Sequence, residues 1–255
     1  MTDELNLEPG TIEIIRHFEP IAADGTGCYA GGLVITSGNV IRVSNKLGRL
    51  VARATVPQTF ERGWAFYNVG RFLGAIGPFK NPKLTFRDGY MLVTDTDPTE
   101  TGLSVRYPIC RPDMITSVDA DPEFEPELAF ALSKDNLKTI LDIATNLGLP
   151  NIVIAGQAGK LQLGALDVLK PQDGKMGAKL TIGKSERNFT LAFLATDFRK
   201  IKPDDYKVAV GFRPDSNREG GIRTVSTDER RHYWILSQTA PGGPAAQKAR
   251  NNEED

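Results

Sequence analysis

Apolar and polar residues alternate with a period of two along most of the chain. The runs are "GLVITSG", "VIRVSN", "RLVARATV", "KLTFRDG", "YMLVTD" and "LSVRYPI", followed by "NIVIAG", "KLQLGALDVL", "AKLTIG", "FTLAFL", "YKVAVGF", "GIRTVST" and "HYWILSQ". Bounded by Gly, Asn and Asp, they predict many short antiparallel strands. Helical periodicity occurs in four places only, residues 11–22, 66–79, 133–148 and 195–205. The pattern therefore predicts an α+β protein. Residues 110–130 keep no period and hold three prolines and six acidic residues, which predicts an extended connector. It separates an N-terminal domain, 1–109, from a C-terminal one, 131–240. The tail, 241–255, is polar, rich in Gly and Pro near its start, and expected to be disordered.

The two halves echo each other. Helix "NVGRFLGAIG" leads through a proline to "PKLTFRDGYMLVTD", and helix "NLKTILDIATNLG" leads through a proline to "PNIVIAGQAGKLQLGALD". The remaining two helices are each followed by strands in matching places. A duplicated unit of one helix and several antiparallel strands, present about twice per half, accounts for this.

The second helix carries an unusual load of glycine. On a helical wheel Val69, Phe72, Leu73 and Ile76 share one side, and Gly70, Arg71, Gly74 and Ala75 the other. Each interior glycine costs roughly 0.5–1 kcal/mol relative to alanine. Either another backbone packs closely there, or the surface is kept clear for something large and anionic to pass. Basic residues recur on the other helices: Arg16 and His17 on the first, Lys134 and Lys138 on the third, and Arg199, Lys200 and Lys202 on the fourth. The third helix also carries Asp135 and Asp142 on its far side.

Composition narrows the function. With 31 Lys and Arg against 32 Asp and Glu, the formal charge is −1, so no global field draws the chain to nucleic acid or anionic membranes, and such contacts must be local. The chain holds no phosphate loop, dinucleotide fingerprint, HExxH or nucleophile elbow, and only two histidines. An enzyme is not expected, nor any cofactor or metal. Cys28 and Cys110 are too far apart for a CxxC motif and are expected as reduced structural thiols. No apolar run reaches membrane-spanning length and the N-terminus is acidic, so a cytoplasmic protein without membrane contact is expected.

From about Thr11 to Ala240 the chain resembles the DNA sliding clamps, most closely the two-domain clamps of large tailed bacteriophages. The resemblance rests on "NVGRFLGAIGPFKNPKLTFRDGYMLV", the acidic connector, "SKDNLKTILDIATNLGLPNIVIAGQAGKLQLG" and "FTLAFLATDFRKIKPDDYKVAVGF…HYWILSQTA". It implies the DNA clamp fold, with sheets outside and two helices per domain lining an inner face. Six such domains make a ring, hence a homotrimer, that encircles double-stranded DNA without sequence preference and tethers the DNA polymerase. The implied pore-facing residues are Arg16, Arg71, Lys80, Lys134, Lys138, Arg199, Lys200 and Lys202, with Gly74 where eukaryotic clamps often carry a lysine. A partner-peptide pocket between the domains would involve Ile35, Val40, Met114, Ile115, Ala240 and Pro241. Apolar residues in a linker can equally fold back as local packing. A clamp loader ATPase, and late-transcription factors, complete the implied partners. The alternative is a β-rich viral structural or assembly protein that does not bind DNA.

Overall fold

The computed structural model describes residues 4–23, 32–45, 47–97, 102–115, 121, 125–168, 177–213 and 219–238. They fall into two compact units, Met1–Pro122 with Arg230–His232, and Glu123–Glu229 with Tyr233–Asp255.

In the first unit the elements are β1 (Glu4–Asn6), α1 (Pro9–Ala22), β2 (Leu33–Ile35), β3 (Gly38–Ser44) and β4 (Leu50–Phe60). They are followed by β5 (Trp64–Phe66), α2 (Val69–Ile76), β6 (Pro82–Arg87), β7 (Tyr90–Asp95) and β8 (Val105–Pro108). The second unit runs β9 (Leu128–Leu132), α3 (Lys134–Asn146), β10 (Asn151–Gln157), β11 (Lys160–Leu166) and β12 (Ala178–Lys184). After these come β13 (Phe189–Leu194), α4 (Ala195–Arg199), β14 (Tyr206–Phe212), β15 (Gly220–Ser226) and β16 (Arg231–Leu236). The order β-α-β-β-β thus occurs four times, twice in each unit.

The strand ahead of each helix does not pair within its own repeat. In the first unit β1 joins β6-β7-β8, while β5 joins β2-β3-β4; in the second, β9 joins β14-β15-β16 and β13 joins β10-β11-β12. The repeats of a unit are interlocked by this exchange. Three of the exchanged strands, β1, β5 and β9, have no counterpart among the sequence runs. They are 3, 3 and 5 residues long. β9 also lies partly in the stretch that the sequence marks as connector.

Each helix is packed as its pattern dictates. α1 starts with Pro9 in its first turn and buries Thr11, Ile15, Phe18, Ile21 and Ala22. α2 is capped by Asn68, whose side chain accepts a hydrogen bond from the Arg71 N–H at 2.8 Å. It buries Val69, Phe72 and Ile76, while Leu73, on the same side of the wheel, is only half-buried. Phe72 enters an aromatic cluster, with ring centroids 4.5 Å from Phe66, 5.5 Å from Tyr107 and 5.9 Å from Trp64. α3 is capped by Ser133 and buries Leu137, Ile140 and Ala144. α4 is a single turn that stops at Arg199, well short of residue 205. Pro203 disfavours the helical region for the residue before it, and the chain instead buries Ile201.

Candidate nucleic-acid interface and partner surface

The outward faces of the helices follow from their buried stripes. On α1 the exposed residues opposite the core include Glu13, Arg16 and Pro20. His17 is half-buried, with Nε2 3.7 Å from Glu13 Oε1. On α2 Arg71 and Gly74 are exposed. A Cβ at Gly74 would meet nothing within 4 Å, so this glycine serves no close packing. Gly70 differs: a Cβ there would lie 2.7 Å from Glu19 Oε1 of α1, so the two helices meet at this bare position. Lys80, just past α2, is exposed, and its N–H donates to Asp95 Oδ2 at 2.9 Å.

On α3 Lys134 and Lys138 are exposed, but at the flank; the centre of the outward face holds Asp135, Thr139 and Asp142. α3 therefore presents more acid than base where it points away from its core. Arg199 is exposed at the end of α4. Lys200 and Lys202 lie beyond the helix. The Lys200 side chain is only 15% exposed, with its ammonium 3.8 Å from the buried Asp197 carboxylate, which makes it a structural charge. Lys202 is half-buried, and its carbonyl accepts a hydrogen bond from the Tyr206 hydroxyl. Exposed arginines thus mark α1, α2 and α4.

A cleft of about 760 Å³ opens beside the start of α2, with Glu19, Gly70, Arg71, Tyr107 and Cys110 in its lining. Burial pushes the Tyr107 phenol up to about 12, against the pull of the Arg71 charge. Its hydroxyl donates to the Asn68 carbonyl at 2.6 Å. Burial also pushes the Cys110 thiol up, which suppresses thiolate chemistry there. Cys28 lies outside the described residues.

The residues expected to bind a partner peptide separate in the structure. Ile35 is fully buried, paired in register with Trp64, and cannot offer a docking surface. Ile115 is also buried: it packs with Val34 and Ala65, and Tyr67 and Cys110 lean on the group. A Cβ at Gly32 would fall 2.3 Å from Ile115 Cδ1, so that glycine is the notch which admits it. Local packing therefore claims Ile115. Val40 is half-buried, and Met114 is 56% exposed. Ala240 and Pro241 lie outside the described residues. The sequence missed Leu47, which is 67% exposed between β3 and β4. Its signal is an isolated leucine within the polar turn "SNKLGR". Among the described residues no group of three His, Cys, Asp or Glu could hold a metal ion, and no helix is long and apolar enough to cross a membrane.

No family model matches the chain. A curated relative, the sliding clamp of Vibrio phage KVP40, is 25% identical over 213 residues, covering 81% of this chain and 90% of the relative. Among solved structures, proliferating cellular nuclear antigen from Entamoeba histolytica superposes with a TM-score of 0.61 at 9% identity, covering 92% of this chain and 98% of that one. The Helicobacter pylori β clamp bound to a DNA ligase peptide gives a TM-score of 0.63 at 12% identity, covering 96% and 68%. The chain spans about two thirds of the length of the bacterial β subunits it matches. The chain has the DNA clamp fold of these structures, and its curated relative is a sliding clamp.

Proposed function

We propose that the chain closes with two further copies into a ring around duplex DNA and tethers a replicative DNA polymerase to it. Length carries the copy number: the chain fills 98% of a nuclear antigen and 90% of a phage clamp, but 66% of a Pseudomonas aeruginosa polymerase III β subunit. Two units per chain then require three chains for six. Binding is topological, so a chain of net charge −1 suits it, since strong phosphate neutralisation would oppose sliding and make binding steeply salt-dependent.

Arg16, Arg71 and Arg199 are the principal phosphate contacts in this scheme. Lys80, Lys134, Lys138 and Lys202 contribute from the flanks, and Lys200 serves the fold. Contacts of this kind position the duplex without reading bases. Closure uses strand edges: among the described residues β8 and β12 each end a sheet, and a seven-residue edge such as β12 invites pairing with another chain. A clamp loader would open the ring. A hydrophobic peptide of polymerase or loader would use Met114 and Leu47 as apolar contacts. A virion role without DNA has no observation in its favour.

Native mass spectrometry and processivity on a long primed template test this reading. A trimer that lengthens the products of a cognate polymerase is expected. A monomer without effect on product length overturns it.

A further inference from the structure

A second cleft in the first unit, of about 650 Å³, is walled by β5, the end of β6 with its turn, and residues of the segment 109–114. Among the described residues none of its lining belongs to α1 or α2, so it is distinct from the helix faces assigned to DNA. Its charged lining is Arg62, Arg87 and Arg111 against Asp88. Arg62 precedes β5, Arg87 ends β6 and Arg111 follows β8, so only strand pairing brings these cations to one opening.

The walls are tied by backbone. Ala65 and Cys110 exchange N–H to carbonyl hydrogen bonds at 3.1 and 3.0 Å, and the Ile109 N–H donates to the Gly89 carbonyl at 3.1 Å. The Tyr67 hydroxyl donates to the Met114 carbonyl at 2.9 Å. A Cβ at Gly63 would lie 3.2 Å from Pro112 Cγ, so this bare position lets the far wall close in. A cleft built this way is preformed, and a ligand entering it has little ordering to offset.

Charge and exposure select the occupant. The aromatic residues of the floor, Trp64 and Phe86, are 1% and 4% exposed, and the Arg62 guanidinium sits 4.9 Å from the Phe86 ring centroid. Single-stranded nucleic acid needs open rings to stack on, and Asp88 opposes an unbroken line of phosphates. A second copy of the chain brings the wrong sign at its proposed closing edge, since β12 exposes Lys179 and Lys184. Spaced carboxylates fit better. Arg87 is exposed, and Arg111 holds Asp113 at 3.2 Å in a pair whose side chains are 79% and 67% exposed, so an incoming carboxylate displaces that partner at little cost. Met114, exposed at the rim, adds an adaptable apolar contact.

We propose that this cleft docks an acidic peptide segment of a partner protein, its carboxylates on Arg87 and Arg111 and an apolar side chain on Met114. The proposal does not depend on ring formation.

Fluorescence anisotropy tests it with a labelled peptide of alternating glutamate and leucine, its glutamine–leucine and glutamate–serine counterparts, and oligothymidylate of the same net charge. The glutamate–leucine peptide should bind wild type best. Arg87→Gln and Arg111→Gln should each weaken it about three- to fivefold, the span of one partly exposed ion pair, and together roughly tenfold. Met114→Ser should weaken this peptide and leave the glutamate–serine one unchanged. Lys160→Gln, an exposed cation of the other unit, should change nothing. Equal binding of the glutamine–leucine peptide, an equal loss in Lys160→Gln, an indifferent Met114→Ser, or oligothymidylate binding as tightly with the same arginine dependence would overturn the proposal.

Discussion

At the scale of single residues, the glycines of α2 have separate roles. Gly70 is where Glu19 of α1 approaches, whereas Gly74 faces open space. Gly74→Ala should therefore stabilise the protein by about 0.5–1 kcal/mol, measured by denaturant unfolding, since it removes backbone entropy from the unfolded chain without a clash. Gly74→Lys should add a phosphate contact and steepen the salt dependence of DNA binding by about one counterion, read from log Kd against log salt. The sequence placed both glycines on the correct side of the wheel. It could not tell them apart, because that depends on a carboxylate from another helix. Lys200 shows the same limit: it looked like one more cation in "FRKIK", and only the fold reveals that Asp197 is buried beneath it. Two of the exposed apolar residues of the first unit illustrate both outcomes, since Met114 was found in the connector and Leu47 was passed over in a polar turn.

At the scale of elements, all four helices and thirteen of the sixteen strands among the described residues were legible from periodicity. The missing three exist because of exchange between repeats, a tertiary cause that leaves little trace in three-residue segments such as "ELN" and "WAF". α2 depends on this exchange, since Trp64 and Phe66 of β5 face Phe72. It is tied to β8 by Tyr107, whose raised phenol pKa makes a pH prediction. A group whose folded value, about 12, exceeds its unfolded value, 10.0, contributes stability fully below pH 10 and loses it as pH rises towards 12. The unfolding midpoint should thus fall between pH 10 and 12. Tyr107→Phe should flatten that slope while costing about 1 kcal/mol at neutral pH for the lost hydrogen bond.

At the scale of the whole molecule, assembly is the quantity to test. Leu180 and Ile182 are half-buried on β12, at the end of its sheet. Replacing both with Asp should shift a trimer to monomers in sedimentation velocity and leave the far-ultraviolet circular dichroism unchanged, because each residue belongs to an edge and neither to the fully buried core. From the sequence, closure through strand edges is an expectation of class only, many strands that must end somewhere; which strands end the sheets follows from pairing order. The composition of the helix faces has a further consequence in the proposed ring. Where α2 offers one guanidinium beside bare backbone, and α3 sets two carboxylates at its centre, a passing duplex finds few bonds to break per base-pair step. The drag on sliding would then come from exchange of water at these faces, and it should track solvent viscosity more closely than ionic strength.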